Sequence, residues 1–276
     1  MNTELLAAMD RNLTPHANHL HHLLPESTVT DAPDLAIADS GSNDDTFNIV
    51  SGARFDDTDL DLRLSGILST LRGTGRPFSW WTGPADSPAD LGARLRAHGC
   101  ENTEDELAMS ASIDRIPLPD RHPALNVSLV TSKDQLADYA AVMAANWSPP
   151  SETVVDFFRR TASGILGGGS RSSFVVGYHD GRPVAGAEIH IASGVAGLYG
   201  VVTLEGSRRR GFGVAVTLAA LDLARRHDGV ETAVLQASQD GAPLYRRLGF
   251  EEVGAYTEYA IRGDFGEGDP KVDAPP

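Results

Sequence analysis

Arg208-Arg209-Arg210-Gly211-Phe212-Gly213 follows the apolar run Leu198 to Leu204 and opens an amphipathic one, Val214 to Ala224. A strand that turns through R-x-x-G-x-G into a helix brings consecutive backbone N–H groups and the positive end of a helix dipole to one point, which suits a pyrophosphate. Glycine at 211 and 213 lets the backbone turn tightly and approach a ligand that a Cβ would hold off. Over six residues alone, an exposed loop with a run of arginines would read the same, so the surroundings decide. They lack the second glycine cluster of a dinucleotide site, its acidic residue about twenty positions on, and the Gly-Lys-Ser/Thr of a P-loop. NAD and ATP are disfavoured.

Downstream, Arg225, Arg226 and His227 place positive charge in the last turn of the helix, and Asp228-Gly229 stops it. An extended run follows, Thr232 to Ala237. After Ser238 to Gly241 comes a short helix, Ala242-Pro243-Leu244-Tyr245-Arg246-Arg247-Leu248, which ends at Gly249-Phe250 before a last strand from Glu252 to Ile261. With R-x-x-G-x-G after one strand and P-L-Y-x-x-L-G-F after the next, the chain from Val127 to Arg262 resembles the Gcn5-related N-acetyltransferase (GNAT) superfamily.

The resemblance implies an α/β (α+β) fold, a mixed sheet flanked by helices, and acetyl-CoA or another acyl-CoA as co-substrate. It assigns Val201, Val202 and Thr203 to the pantetheine arm, with the backbone N–H near Val202 as oxyanion donor. Arg208, Arg209, Arg210, Gly211, Phe212, Gly213 and Val214 would hold the pyrophosphate. Tyr245 would protonate the departing thiolate. Glu205 stands where the family often has Pro. Ser238 stands where it often has Asn, as a further cofactor-binding position. The implied activity is that of an N-acetyltransferase, an acyltransferase for groups other than aminoacyl.

Composition sets bounds. A chain of 276 residues that is 41% hydrophobic can bury real cores in one or two domains. Its formal charge of −15 opposes nucleic-acid binding and permits a cationic amine acceptor. The acidic start, Met1–Asp10, is no leader, and no apolar run reaches membrane-spanning length, so a cytoplasmic, non-membrane protein is expected, as monomer or homodimer. Cys100 is the only cysteine and reads as a small core residue; no metal is expected. His16, His19 and His22 have zinc-like composition, but without a nearby carboxylate or Cys they read as a solvated helix face.

A weak repeat sets Leu95-Arg96-Ala97-His98-Gly99-Cys100 against Tyr245-Arg246-Arg247-Leu248-Gly249-Phe250. Two GNAT-like units are therefore expected: a degenerate one over 1–115, a proline-containing linker over 116–124, and the cofactor-bearing one over 125–262, before a disordered tail over 263–276. In the first unit, Arg54-Phe55-Asp56-Asp57-Thr58-Asp59-Leu60-Asp61 stands between a strand (Phe47 to Ser51) and a helix (Leu60 to Leu71). Four aspartates there repel a pyrophosphate, so this half should not bind CoA. Trp80 and Trp81 have opposite parity on one strand, so one belongs in the core and the other at a domain contact or a pocket.

In the second unit, Thr131 or Ser132 caps a helix to Asn146, and Ser151 opens another to Arg160. Phe174 to Tyr178, Pro183 to Ala192 and Gly197 to Leu204 read as antiparallel strands joined at Asp180-Gly181 and Ser193-Gly194. Glu188 and His190 share one strand face and are both candidates for the base that an ammonium acceptor requires, although a half-exposed strand carries such residues by default. The leading reading is direct acyl transfer to an amine of a small molecule. A non-catalytic acyl-CoA-binding or regulatory protein and a protein N-acetyltransferase are the alternatives.

Overall fold

The computed structural model describes residues 3–263, and in it the chain divides within two strands rather than at the proline-containing segment. Among the described residues, those up to Leu107 together with 254–263 form one unit, and Ala108–Val253 form the other. This differs from the boundaries 1–115 and 125–262 at both ends: residues 108–115 join the second unit, and residues 254–262 join the first. The tail expected to be disordered lies, from residue 264 on, outside the described residues.

The first unit runs α1 (Thr3–Asn18), β1 (Thr28–Ala32), β2 (Leu35–Asp39), β3 (Ile49–Ser51), α2 (Leu60–Gly73), β4 (Phe78–Thr82), α3 (Leu91–Ala97) and the start of β5 (Glu101–Ser112). Its strand order is β1-β2-β3-β4, then the late strand Glu251–Ile261, then β5. β3 and β4 are parallel, with Ile49 opposite Ser79 and Val50 opposite Trp80, a pairing that needs a crossover; α2 supplies it. Leu60, Leu64, Leu68 and Leu71 form one helical stripe of α2 and pack on Val50, Phe78 and Trp80, together with Tyr259 and Ile261 of the late strand. Burying each such side chain contributes about 1.5–3 kcal/mol. Trp80 is therefore the core tryptophan, and Trp81, on the other face, is half-buried. Cys100 is buried, which raises its thiol pKa. The expected histidine face does not form: α1 ends at Asn18, so His16 lies in the helix, while His19 and His22 follow it.

The second unit runs β6 (Asn126–Leu129), α4 (Lys133–Ala144), α5 (Glu152–Gly164), β7 (Ser172–His179), β8 (Arg182–Ala192), β9 (Val195–Thr203), α6 (Phe212–Ala224), β10 (Thr232–Ala237) and α7 (Ala242–Arg247), before the late strand β11 (Glu251–Ile261). Ser132 and Ser151 cap α4 and α5, each Oγ accepting at 3.3 Å from an N–H three residues on. Asp180-Gly181 and Ser193-Gly194 have φ of 49° and 74°, and of 53° and 76°, the left-handed pair that a two-residue hairpin needs. Residues 108–112 of β5 belong to this unit, whose order is β5-β10-β9-β8-β7-β6. A Cβ on Gly177 would meet Val216 of α6, and one on Gly186 would meet Tyr139 of α4, so these two helices cover opposite faces of the sheet. The fold class is α/β, a mixed sheet flanked by helices.

The repeat is visible in hydrogen bonds. Cys100 N–H donates to the Leu95 carbonyl at 3.0 Å, and Phe250 N–H to the Tyr245 carbonyl at 3.0 Å. The glycines between, Gly99 and Gly249, have φ of 83° and 95°. Both helices thus end in the same left-handed cap.

Two carboxyls of the first unit are held protonated. Burial, reinforced by the charge of Asp10, pushes Asp86 up to about 8. Burial, reinforced by Glu104 and Glu258, pushes Glu106 up to about 8. Between about pH 4 and pH 8 the unfolded chain has lost these protons and the folded chain keeps them, so their contribution to stability falls as pH rises through that window and then levels off. Asp86→Asn, which resembles the protonated acid, is expected to lose less stability than wild type between pH 5 and pH 8.5 in urea unfolding; parallel losses would refute the assignment.

Candidate functional site

β9 and β10 are parallel and paired only at Val195–Thr232, Ala196–Ala233 and Gly197–Val234. Beyond Gly197 the pairing stops, and β9 continues to Thr203 with the edge that faced β10 open. A β-bulge lies in this stretch. Val202 stands opposite Gly186 and Tyr199 opposite Glu188, so Gly200 and Val201 together face Ala187. Gly200 takes φ of 53° there. The bulge adjoins Val202, the position assigned to the oxyanion donor; Val202 and Thr203 resume the ladder opposite Gly186 and Ala185.

The Gly-rich loop follows. Arg209 has φ of 62° and Gly211 φ of 82°, and the first intrahelical bond of α6 runs from Ala215 N–H to the Gly211 carbonyl at 3.0 Å. The N–H groups of Gly211, Phe212, Gly213 and Val214 therefore have no acceptor within the helix. They converge at its positive end. A Cβ on Gly213 would lie 3.3 Å from Thr203 Oγ1 and 3.6 Å from Leu244 Cδ1, so the end of β9, the start of α6 and α7 meet at that glycine.

The arginines are placed less uniformly than the motif suggests. Arg208 Nε donates to the Thr203 carbonyl at 3.1 Å. The Arg210 guanidinium donates to His179 Nε2 at 2.9 Å and lies 4.7 Å from the centre of the Phe212 ring, while Arg209 is exposed. The Phe212 ring is buried, which leaves its backbone N–H as the group it can offer.

Tyr245 sits in α7 with its ring 5.9 Å from that of Phe250, largely buried, and a Cβ on Gly241 would be 3.5 Å from its Cε2. Ser238 Oγ accepts from Gly241 N–H at 3.2 Å, so this side chain organises the turn into α7. Glu188 and His190 are not on a half-exposed strand: they are 5% and 0% exposed. Their face of β8 lies under α4 and α5, because Gly186, of the same parity, abuts Tyr139. Ser172 Oγ is 2.9 Å from His190 Nδ1. Glu188 stands opposite Phe174, whose ring lies 5.0 Å from Tyr139 and 5.8 Å from Phe158.

Tyr139 escaped the sequence reading. It is buried, a Cβ on Gly186 would lie 2.8 Å from its Cδ2, and its hydroxyl donates at 3.5 Å to the Gly200 carbonyl at the bulge. Burial, with the Glu188 charge behind it, drives its phenol pKa well upward, so it remains a donor. Only the two glycines, 186 and 200, could have signalled a ring lying against the strands.

The Acetyltransferase (GNAT) family model matches residues 137–250. This stretch is a GNAT-family domain. It spans the splayed strands, the Gly-rich loop and α7, and the match supports acyl-CoA-dependent N-acetyltransferase activity in general terms. Among solved structures, a GCN5-related N-acetyltransferase from Kribbella flavida is similar in fold at 21% identity and a TM-score of 0.68, covering 92% of this chain and 96% of that one. A tandem GNAT protein from the clavulanic acid biosynthesis pathway is 14% identical with a TM-score of 0.61, covering 96% of each chain. A GCN5-related N-acetyltransferase from Sphaerobacter thermophilus is 17% identical with a TM-score of 0.58, covering 94% and 93%. At these identities the likeness is one of fold. None of the curated proteins matches the chain. Among the described residues, no helix is long and apolar enough to cross a membrane.

If the GNAT loop is the cofactor determinant, Gly211→Glu adds bulk and negative charge where the backbone must approach a pyrophosphate. Calorimetric titration of that variant with acetyl-CoA is expected to show no binding, and wild-type affinity would remove the loop from the site.

Proposed function

We propose that the second unit transfers an acyl group, most simply acetyl, from acyl-CoA to an amine of a small molecule by direct attack. The observation that carries this reading is the parting of β9 and β10 after Gly197 beside the free N–H groups at the start of α6. An extended, amide-bearing arm ending in a pyrophosphate fits that pair of features: β9 offers an open strand edge, and the loop offers converging donors without a Cβ at Gly211 or Gly213.

Acyl-CoA supplies an activated thioester; the chain supplies orientation and proton movement. Backbone N–H near Val202, beside the bulge, stabilises negative charge developing on the acyl oxygen. Glu188 takes the proton of the attacking amine, directly or through water, from a buried position beside Tyr139 that a slender amine reaches more readily than a bulky one. His190 is the second candidate for this role; its bond to Ser172 fixes the ring. Tyr245 gives a proton to the leaving thiolate. No thiol takes part, since Cys100 is buried in the core of the first unit.

One cofactor per chain follows from the first unit. Where its parallel strands would part, Phe55 N–H donates to the Ser87 carbonyl and Ser87 N–H to the Ala53 carbonyl, both at 3.0 Å, and the corresponding gap is bridged by backbone. Phe55 fills the space beneath, against Trp80.

Release of free CoA with a panel of amines tests the activity; acetyl-CoA binding without release under any amine would make this a binding protein instead. Tyr245→Phe keeps the ring and deletes the O–H. It is expected to lower kcat about ten- to a thousandfold with acetyl-CoA affinity nearly unchanged, and an unchanged kcat with chemistry rate-limiting would leave Tyr245 a packing residue.

A further inference from the structure

The segment expected to be a plain linker, 116–124, reaches the cofactor loop. His122 Nε2 lies 3.0 Å from the Arg210 carbonyl, and Ala124 N–H donates to His122 Nδ1 at 3.2 Å. A carbonyl can only accept and an N–H can only donate, so His122 is the neutral Nε2–H tautomer. His179 is the reverse. Its Nδ1 donates to the Ala124 carbonyl at 2.7 Å, and its Nε2 accepts from the Arg210 guanidinium at 2.9 Å, with Asp180 Oδ2 3.4 Å from the same nitrogen.

The four bonds close a ring: both groups of the Ala124 peptide residue are tied, through two histidines of opposite tautomer, to the carbonyl and the guanidinium of Arg210. Phe212 sits inside, with its ring centre 5.2 Å from that of His122, 5.4 Å from that of His179 and 4.7 Å from the Arg210 guanidinium. A Cβ on Gly211 would stand 3.3 Å from His122 Nε2, so the clamp, as well as the positive φ, demands glycine there.

We infer that His122 and His179 are positioning residues for the pyrophosphate-binding loop. In a trans peptide the C=O and N–H point in opposite directions, so fixing the Arg210 carbonyl on His122 aims the Gly211 N–H away from the linker. The Arg210 guanidinium, held by His179, becomes a strut of the loop. The cofactor's phosphates are left to the backbone donors of Gly211 to Val214. This inference rests on the reading of the second unit as an acyl-CoA site, and its test separates the two.

The probes are acetyl-CoA and S-acetylpantetheine, which carries the same thioester and arm without the pyrophosphate. His122→Ala removes one neutral hydrogen bond from the loop and is expected to raise KM for acetyl-CoA about three- to tenfold, with kcat held. The efficiency with S-acetylpantetheine should not follow it. His122→Gln, whose amide N–H can take the place of Nε2–H, is expected to recover most of the loss. Equal losses with both acyl donors would mean a general disturbance of the fold and overturn the clamp, as would an unchanged KM for acetyl-CoA. Wild-type protein that fails to bind acetyl-CoA would overturn the acyl-CoA reading itself, and the clamp's role with it.

Discussion

Two parallel strands that hold together for three residues and then separate determine most of what the second unit can do. A parallel pair cannot be joined by a tight turn, so the chain between β9 and β10 must cross over through a helix, and α6 is that helix. Its N-terminus consequently lies at the end of β9 towards which the strands diverge. The open strand edge and the free helical N–H groups are then neighbours by topology, and the bulge at Gly200–Val201 adds a third backbone element to the same place. Side chains refine this arrangement: Thr203 and Leu244 meet at Gly213, and Tyr139 lies across Gly186 and Gly200.

The first unit shows what happens when the same topology is retained and the gap is not. It has the parallel pair, the crossover helix and the short helix ending in a left-handed cap. Yet residues 53–55 run on and bond to Ser87, Ala53 and Phe55 enter the core, and Leu95 occupies in that core the place that Tyr245 has in the other unit. Apolar side chains fill the volume beside this closed backbone. The closed backbone joins the charge of the aspartates of 56–61 as support for the proposal that this unit holds no cofactor.

Local structure was legible because it is written in local chemistry. The hairpins at Asp180-Gly181 and Ser193-Gly194, the serine caps, the crossover helix and the helix ends at Gly99 and Gly249 all rest on residues within a few positions of one another. The motif around Gly211 and Gly213 could be read for the same reason. What escaped depends on long-range pairing. Nothing near residue 254 states that Tyr259 and Ile261 finish the core of the first unit, nor does anything near residue 110 say that β5 ends beside β10. Burial of Glu188 and His190 was missed because parity fixes the face of a strand and not how much is stacked on it. His122, Ala124 and His179 carry no motif; only the folded backbone brings them to Arg210.

The exchange of terminal strands also imposes an order in time. During synthesis, the first unit emerges with its sheet, its leucine stripe and its tryptophan in place but without residues 254–261, whose tyrosine and isoleucine close its core. The whole of the other unit must leave the ribosome before that strand exists. Until then β4 presents an unpaired edge, the feature that invites pairing with another chain. The nascent protein thus spends the interval of making residues 108–253 with its first unit waiting for the strand that closes its core.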